Sequence, residues 1–378
     1  MGGMQTHSLN MTLELARHGV DLDVYHPGPA QMSSTKDKLT QRLPSNVSLQ
    51  RFEPPRHRRF PGHYIAEAME LSSEYLKHYL QGPAADVIYA KGLMATAFLK
   101  ARLKQSLSLP PIITNVHGYE SFQSAATIKE CLNGCLLRPS FRFVIDHSDY
   151  VVSYGGRITD LLRNRLGVSP DRIIEIPGAV DNQFLEAPLP AEVHRRRTFA
   201  FVGRYERRKG LEELAQALHR GVPAEHDFHV VGPIPDSVAR GFPSTVTFHG
   251  KVSDRTRLIE LFDSIDVLVC PSWSEGMPNV IMEAMARKTA VIATDVGATC
   301  LLVDSDNGRL IQPRKRIALT NAIRELTTVS GEELSAMKFE SRRRIADRFT
   351  WATIGPQSVR LLCAVLEHEC SRSQTTAA

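Results

Sequence analysis

The sequence predicts an α/β protein with two open parallel sheets in tandem, and three observations carry this prediction. Short apolar runs alternate with helical segments along the chain, as parallel strands and their crossover helices do. The alternation stops once, in a stretch rich in proline and charge, and then restarts. The length of 378 residues is ample for two domains, each with a core of its own.

The first half opens with a predicted helix. Apolar side chains share one helical face between Met4 and Ala16, and Gly19 suits the left-handed position that ends a helix. A doubly wound domain usually starts with a strand at the centre of its sheet, whereas this sequence starts with Met1-Gly2-Gly3 and a helix. We therefore expect the first strand to be missing. Strands are predicted at residues 20–25, 87–89, 112–114, 150–152 and 173–174.

The second half follows a connection, "PGAVDNQFLEAPLPAEVHRRR", that lacks sustained periodicity. Beyond it, strands are predicted at residues 198–202, 228–231, 246–248, 267–270 and 291–294, with helices at 211–218 and 255–264. The predicted division is an N-terminal domain over 1–183, a linker over 184–197, a C-terminal domain over 198–352, and a final helix over 353–378 that packs back on the N-terminal domain.

Composition narrows the class of protein. The chain is 42% hydrophobic and 23% charged, which is ordinary for a globular protein, and its net charge of +5 fits either a solvated surface or an anionic partner. The six cysteines show no C-x-x-C pair and no zinc spacing, so a reducing compartment is expected. The sequence has no apolar run long enough to cross a membrane, no secretory signal and no nucleic-acid motif, which predicts a cytoplasmic protein.

The stretch "FVGRYERRKGLEEL" is the first candidate site. Gly203 ends a predicted strand and lets a ligand approach the backbone, while Arg204 and Lys209 can converge on a diphosphate. The helix that starts after Gly210 adds its positive N-terminal end. Solvated loop charges are the alternative explanation. The stretch lacks G-x-x-x-x-G-K-[ST], so it is not a P-loop.

The stretch "SEGMPNVIMEA" follows another predicted strand and is the second candidate site. Pro278 fits the first turn of a helix that runs to about Arg287. Backbone N–H groups of Gly276, Met277 and Asn279 would then point toward a phosphate or sugar oxygen.

Two glutamates frame this second stretch. Glu275 and Glu283 do not suit a phosphate, but carboxylates accept hydrogen bonds from sugar hydroxyls, as acidic residues do for ribose in dinucleotide sites. Two ordinary surface acids are the alternative. With the basic stretch nearby in the sheet, the pair predicts a sugar nucleotide as ligand.

Together these stretches resemble a known family. "GRYERRKG", "SEGMPNVIMEAMA" and "VIATDVGA" resemble the retaining glycosyltransferases of family 4, which have two facing Rossmann-like domains in the GT-B arrangement and an active site in the cleft between them. The resemblance covers almost the whole chain. It extends to "GGMQTHSLNMTLELARHGVDLDVYHP", "NVHGYE", "FHGKV", "DNGRLIQP" and "FTWATI".

The resemblance implies roles for individual residues. Arg204 and Lys209 would hold the donor diphosphate, Glu275 would contact the transferred sugar, and Glu283 would bind the ribose hydroxyls. The base would lie near Gly232 and near residues 250–252. The implied catalytic residues are His117, Arg204, Lys209 and Glu275, and the implied substrate-binding residues are Gly3, Gly203, Gly232, Lys251, Val252, Gly276, Met277, Pro278, Asn279 and Glu283.

The sequence departs from the family pattern in three places. The usual strand before Gly2-Gly3 is absent, the linker reads "IPGAVD" where an asparagine–glycine pair is more common, and Leu301 stands where members often carry glutamate. The first departure puts the folding of the N-terminal domain and part of the acceptor side in question.

The implied reaction is transfer of a sugar, with retention, from a nucleotide-diphosphate sugar to a glycan or lipid-linked acceptor in polysaccharide or glycolipid biosynthesis. Fixed cations and dipoles would stabilise the departing diphosphate, so no metal or other cofactor is expected. Asp304-Ser305-Asp306 is interpreted as a turn rather than a metal site, because Asn307-Gly308 follows it. A sugar-nucleotide epimerase and a non-catalytic sugar-nucleotide-binding subunit remain as alternatives, and a dehydrogenase is weaker because no G-x-G-x-x-G follows a strand.

A basic stretch, Arg56-His57-Arg58-Arg59, lies in the predicted acceptor domain with Phe52 and Phe60 on either side. One hypothesis is that it approaches an anionic membrane or a lipid-linked acceptor, which would make the protein peripheral at the inner face of the cell membrane. A basic loop without a partner explains the pattern equally well.

Overall fold

The structure is a computed structural model that describes residues 3–28, 43–58, 60–104, 107–186, 196–219 and 226–377. They form two α/β domains with parallel sheets, as predicted. The N-terminal strands are β1 (Leu22–Pro27), β2 (Val47–Phe52), β3 (Ile88–Lys91), β4 (Ile112–Asn115), β5 (Tyr150–Ser153) and β6 (Ile173–Glu175). The C-terminal strands are β7 (Thr198–Val202), β8 (Asp227–Val231), β9 (Val246–Gly250), β10 (Val267–Cys270), β11 (Ala290–Thr294) and β12 (Gly308–Ile311).

Helices cover these sheets. The described α-helices are α1 (Gly3–Arg17), α2 (His63–Tyr79), α3 (Thr96–Leu103), α4 (Ile128–His147), α5 (Arg157–Asp160), α6 (Gln183–Glu186), α7 (Leu211–His219), α8 (Asp236–Ala239), α9 (Arg255–Ser264), α10 (Asn279–Ala286), α11 (Arg316–Thr328), α12 (Gly331–Arg348) and α13 (Trp351–Ala377). The predicted end of α1 is confirmed, since Gly19 has a φ of 81° and its N–H bonds the Ala16 carbonyl.

The C-terminal domain has one six-stranded parallel sheet in the order β12-β11-β10-β7-β8-β9. Its first strand, β7, pairs with β8 on one side and with β10 on the other, so the strand order reverses between β7 and β10. Ligands of doubly wound sheets bind at such a switch point, outside the carboxyl ends of the strands. Both candidate stretches follow these two strands directly.

The described part of the N-terminal domain has two parallel sheets rather than one. Strands β1 and β2 pair with each other, and β3 to β6 form the second sheet in sequence order. The sequence did not predict β2, because "VSLQRF" is partly polar and only half-buried, nor β12, which is four residues long and starts with a glycine. In the described residues, α1 is the first element, and the missing first strand stays a prediction.

The last helix leaves the C-terminal half and packs on the N-terminal domain. Ile354 and Leu362 of α13 share one buried cluster with Met11 and Leu15 of α1 and with Ile113 of β4. This packing fixes α1 next to the sheet that supports the cleft. None of the described helices combines the length and apolarity that a bilayer crossing would need.

Candidate active site

The loop after β7 forms a basic turn against the loop after β10. Gly210 closes this turn with a φ of 76°, and a Cβ there would lie 2.1 Å from the Pro271 carbonyl oxygen. Only glycine allows so close an approach. The Trp273 N–H also donates to the Arg208 carbonyl at 2.7 Å. The two loops, 66 residues apart in sequence, therefore form one surface at the switch point of the sheet.

Glu275 lies buried where these loops meet. Its Oε1 accepts hydrogen bonds from Lys209 Nζ at 2.6 Å and from Ser272 Oγ at 2.8 Å, and Arg208 Nη1 lies 3.5 Å from Oε2. Burial by itself would raise the pKa of Glu275, but the Lys209 and Arg208 cations outweigh it and hold the pKa below its ordinary value. Glu275 is therefore a carboxylate at neutral pH.

The predicted cation pair is only partly assembled. Lys209 points at Glu275, whereas the Arg204 side chain is 75% exposed and pairs with Glu206 at 2.9 Å. Arg208, which sequence analysis did not single out, is mostly buried and bonds the Ser274 carbonyl at 3.0 Å. The run Arg207-Arg208-Lys209 signalled positive charge, but sequence gave no means to tell which arginine turns inward.

Glycines end three neighbouring strands beside this basic turn. Gly203 follows β7 and donates to the Val231 carbonyl at 2.9 Å, and Gly232 follows β8 and donates to the Gly250 carbonyl at 2.8 Å. Gly232 has a φ of 145°, and a Cβ there would lie 1.8 Å from the Gly203 carbonyl oxygen. Gly232 is buried and Gly203 only partly exposed, and the base site near these glycines stays a prediction. Lys251 and Val252 continue from this edge, and Lys251 is exposed.

Helix α10 starts at Asn279, with Pro278 immediately before its first turn rather than inside it, and it ends at Ala286. Its N-terminus faces the other domain. Gly276 lies against the Gly118 backbone, since a Cβ would come within 3.1 Å of the Gly118 Cα. The sulfur of Met277 accepts a hydrogen bond from the Gly178 N–H at 3.0 Å.

Glu283 lines a crevice between the two domains. Thr6, His7 and Asn10 of α1 form one wall, and Asn279, Met282 and Glu283 of α10 form the other, with Asp181 and Arg255 beside them. Burial is the main cause that raises the pKa of Glu283, to about 7, while Arg255 opposes the shift and Asp181 adds to it. Asp181 and Arg255 pair with each other at 2.6 Å.

His117 lies on the N-terminal side of the cleft, two residues after β4. It adopts a φ of 65°, its N–H bonds Asn115 Oδ1 at 2.8 Å, and its Nδ1 lies 2.7 Å from the Tyr154 hydroxyl. Burial and the nearby Lys91 lower the pKa of His117 to about 4, so the ring is neutral at pH 7.

Helix α1 brings further polar groups to this side. Gly3 is its first residue, and His7 is buried one turn later between the rings of Tyr154 and Trp351. Burial, with Lys91 and His117 nearby, lowers the pKa of His7 to about 3. Burial also lowers the pKa of Lys91, to about 8.

The loop that carries His117 spans the cleft. The Gln123 amide donates to the Glu275 carbonyl at 2.6 Å, so the N-terminal domain holds the backbone of a predicted sugar-binding residue. Gln123 could not be identified from the sequence, because its contact joins residues 152 positions apart. A second link is the pair between Arg157 Nη2 and Asp295 Oδ2 at 2.5 Å.

The predicted turn at Asp304-Ser305-Asp306 is confirmed. Asp304 accepts the Asp306 N–H at 3.0 Å and pairs with Arg344 at 2.7 Å, and Asn307 caps the turn by accepting the Asp304 N–H at 3.0 Å. Among the residues whose positions the structure gives, no group of three or more His, Cys, Asp or Glu side chains is arranged to hold a metal.

The geometry thus gathers Lys209, Glu275 and the start of α10 at one point, with His117 on the loop opposite. Glu283 lies about one turn along α10, at the crevice with α1. A cationic turn, a helix N-terminus and the carboxyl groups of Glu275 and Glu283 around one cleft can bind an anionic, hydroxyl-rich ligand.

Known proteins share this sequence and fold. The model for Glycosyltransferase Family 4 matches residues 1–184, and the model for Glycosyl transferases group 1 matches residues 196–328. An uncharacterized glycosyltransferase of Methanocaldococcus jannaschii is 26% identical over 305 residues, 79% of this chain and 80% of the relative. The phosphatidyl-myo-inositol mannosyltransferase of Mycolicibacterium smegmatis is 26% identical over 380 residues, 95% of this chain and 89% of that protein.

The solved sucrose-phosphate synthase of Thermosynechococcus elongatus has a similar fold, with a TM-score of 0.79 at 20% identity over 97% of this chain and 94% of that one. The fold is that of the two-domain GT-B architecture. The two family models together match most of the chain, and the chain belongs to the family 4, group 1 glycosyltransferases, enzymes that use nucleotide sugars.

Proposed function

We propose that this glycosyltransferase moves a sugar from a nucleotide-diphosphate sugar to a glycan or lipid-linked acceptor, with retention and without a metal ion. The observation that carries the proposal is the meeting of Lys209, Arg208 and Glu275 with the start of α10 at the switch point of the sheet. It supplies positive charge and a carboxylate acceptor within a few ångströms of each other.

The nucleotide would lie along the C-terminal domain. Glu283 would accept hydrogen bonds from the ribose hydroxyls, and the base would lie over the glycine-rich ends of β7 to β9. Lys209 and Arg208 would contact the diphosphate, and the exposed Arg204 side chain is free to rotate toward it from Glu206. The N–H groups at the start of α10 add donors for phosphate or sugar oxygens.

The transferred sugar would lie between Glu275 and His117. An ionised carboxylate has about four acceptor positions, so Glu275 retains capacity for a sugar hydroxyl beside its bonds to Lys209 and Ser272. Nδ1 of the neutral His117 ring is hydrogen-bonded to the Tyr154 hydroxyl, and in the tautomer that carries its proton on Nε2 the ring would donate to another sugar oxygen.

In the proposed reaction, the acceptor hydroxyl attacks the anomeric carbon from the face that the diphosphate leaves. The departing phosphate oxygen takes the acceptor's proton, and negative charge grows on the diphosphate. Lys209, Arg208 and the α10 N-terminus would stabilise that charge, the kind of electrostatic contribution that is worth several kcal/mol in enzymes. Retention follows from same-face attack.

The acceptor would bind on the N-terminal side, near α1 and the His117 loop. The Mycolicibacterium smegmatis relative acts, by its name, on phosphatidyl-myo-inositol, which supports a lipid acceptor in glycolipid or polysaccharide synthesis. We also propose the reducing cytoplasm as its compartment, since all six cysteines are free.

The test is a transfer assay with UDP-, GDP- and ADP-linked hexoses, with and without a membrane lipid extract, in EDTA. The proposal expects donor consumption that requires the extract, yields an α-linked product from an α-linked donor by NMR, and persists in EDTA. Consumption without an acceptor would instead favour an epimerase. Dependence on added Mg²⁺ or Mn²⁺ would contradict the metal-independent mechanism.

A further inference from the structure

An apolar strip lies exposed on the outer face of α4. Ile128 is 81% exposed, Leu132 65% and Leu136 40%. Their spacing of four residues places them on one side of the helix. Phe60, 48% exposed, extends the strip, because the adjoining Gly62 lies against Leu136, where a Cβ would be 3.4 Å from Leu136 Cδ2. We call these four side chains the α4 strip; large apolar groups exposed side by side mark a binding surface.

Positive charge borders the α4 strip. Lys129 is exposed on α4 next to Ile128, and Arg56 and Arg58 are exposed in the segment that leads to Phe60. Two acids on these segments have partners: Glu70 binds His57 at 2.8 Å, and Glu130 accepts the Ala126 N–H at 2.8 Å. The surface is therefore both apolar and cationic, the combination that favours a membrane with anionic lipids.

Phe52 does not belong to this surface, so that part of the sequence-based hypothesis is wrong. Its ring packs between Tyr25 and Tyr75, with centroid distances of 5.6 Å and 4.8 Å. Phe52 is the last residue of β2, and its side chain turns into the core beneath α2.

The inner face of α4 supports the catalytic cleft. Gly134 lies against the Ser121 backbone, and Arg138 Nε donates to the Ser121 carbonyl at 2.8 Å. Ser121 belongs to the loop that runs from His117 to Gln123 and reaches Glu275. One helix therefore separates the α4 strip from the cleft, so a surface bound by the strip lies next to the acceptor side.

We propose that the α4 strip and its bordering cations bind the surface of an anionic membrane and hold the cleft beside lipid-linked acceptors. The orientation toward acceptors rests on the proposed function; the membrane contact does not. Three side chains on one helix, with Phe60 beside them, cover much less than the roughly 800 Å² per partner of a stable protein interface. Insertion into a lipid surface requires no such area, because a few apolar side chains and cations suffice for reversible binding.

The experiment is flotation of the full chain with vesicles of phosphatidylcholine alone or with phosphatidylglycerol. Ile128→Ser/Leu132→Ser removes half of the strip from an exposed face. Ile317→Ser is the matched control, because Ile317 is also an exposed isoleucine (69%) in the first turn of a helix, α11, but in the other domain. We expect binding to phosphatidylglycerol vesicles that falls roughly ten-fold or more in the double variant and stays unchanged in the control.

A second variant tests the charges. Arg56→Ser/Arg58→Ser should weaken binding to phosphatidylglycerol vesicles several-fold and flatten its salt dependence. Equal flotation of wild type, both double variants and the control would overturn the proposal. So would a dimer in solution that Ile128→Ser/Leu132→Ser abolishes, since a second copy would then occupy the strip. Titrating the wild type and each variant with nucleotide separates the two proposals. A variant that no longer floats with vesicles but still binds nucleotide supports membrane binding by the α4 strip. If the wild type binds no nucleotide, the proposed donor site is contradicted, but the membrane proposal is not.

Discussion

At the scale of single residues, the cleft contains groups that oppose stability. Glu283 is a carboxyl held among α1, α10 and the Asp181–Arg255 pair, where its pKa is raised to about 7. A raised pKa means that the folded state prefers the protonated form. Ionisation of Glu283 therefore costs folding free energy, and the cost grows as the pH rises from the ordinary carboxyl pKa through 7.

Glu283→Gln should accordingly stabilise the chain at alkaline pH. At pH 8 we expect the free energy of unfolding to rise by about 2–3 kcal/mol, and the gain should shrink as the pH falls below 7. Urea unfolding at pH 8 and pH 5.5 measures it, with the exposed Glu260→Gln on α9 as control. No gain at pH 8, or the same gain at both pH values, would contradict the assignment.

Lys209 and Glu275 form the opposite case, since the lowered pKa of Glu275 stabilises the fold above the ordinary carboxyl pKa and the contribution is lost on acidification. Lys209→Met should cost up to about 3 kcal/mol at pH 7, because it leaves a buried carboxylate with Arg208 alone. Adding Glu275→Gln should restore stability without restoring nucleotide binding.

Arg204→Met is the control for this prediction. Its side chain is mostly exposed, so the free energy of unfolding should change by less than about 0.5 kcal/mol while nucleotide affinity falls. Urea unfolding and calorimetry measure the two effects. If Lys209→Met and Arg204→Met destabilise the chain equally, the buried Lys209–Glu275 pair does not stabilise the fold as proposed.

At the scale of elements, the glycines that end β7, β8 and β9 fix the backbone that is proposed to receive the base. Gly232→Ala should destabilise the chain by at least about 2 kcal/mol more than Gly250→Ala. Both glycines have positive φ, but a Cβ on Gly232 meets the Gly203 carbonyl, whereas nothing lies within 4 Å of one on Gly250. Urea unfolding tests this, and equal losses would show that φ strain alone matters.

Much of the element pattern could be predicted from the sequence. The bounds of β7, β10 and α9 follow from buried apolar runs and a clear 3.6-residue period. β2 and β12 could not be predicted, because they are short, half-polar edge strands whose pairing depends on neighbours distant in sequence.

At the scale of the molecule, the two domains hold each other across the cleft. Arg157 of the N-terminal domain makes three contacts to Asp295, at 2.5, 3.0 and 3.1 Å. The site motifs could be located from the sequence, but these contacts could not, because they depend on how two separately folded domains face each other. Gln123 was missed for the same reason, whereas Arg208, whose partners lie in its own domain, was missed because the sequence does not tell which arginine of the run turns inward.

Asp295→Asn should loosen this closed arrangement. A neutral side chain weakens the bond to Arg157, so open conformations gain population and the radius of gyration in solution increases. Asp160→Asn is the matched control, because Asp160 binds the same arginine at 3.3 Å but within one domain. Small-angle X-ray scattering measures the change. An unchanged radius for Asp295→Asn, or the same increase in the control, would contradict a closing role for this pair.

The central claim is that the cleft binds a nucleoside diphosphate through Glu283 and the basic turn. Calorimetric titration with UDP, GDP and ADP, without added metal, tests it most directly. At pH 8, where Glu283 is mostly ionised, we predict that one nucleotide binds and that its affinity falls at least ten-fold in Glu283→Ala but not in Glu260→Ala, since the loss of a charged hydrogen-bond acceptor costs about 1.5–3 kcal/mol. Absence of binding by all three nucleotides to a chain with native circular dichroism would contradict the claim.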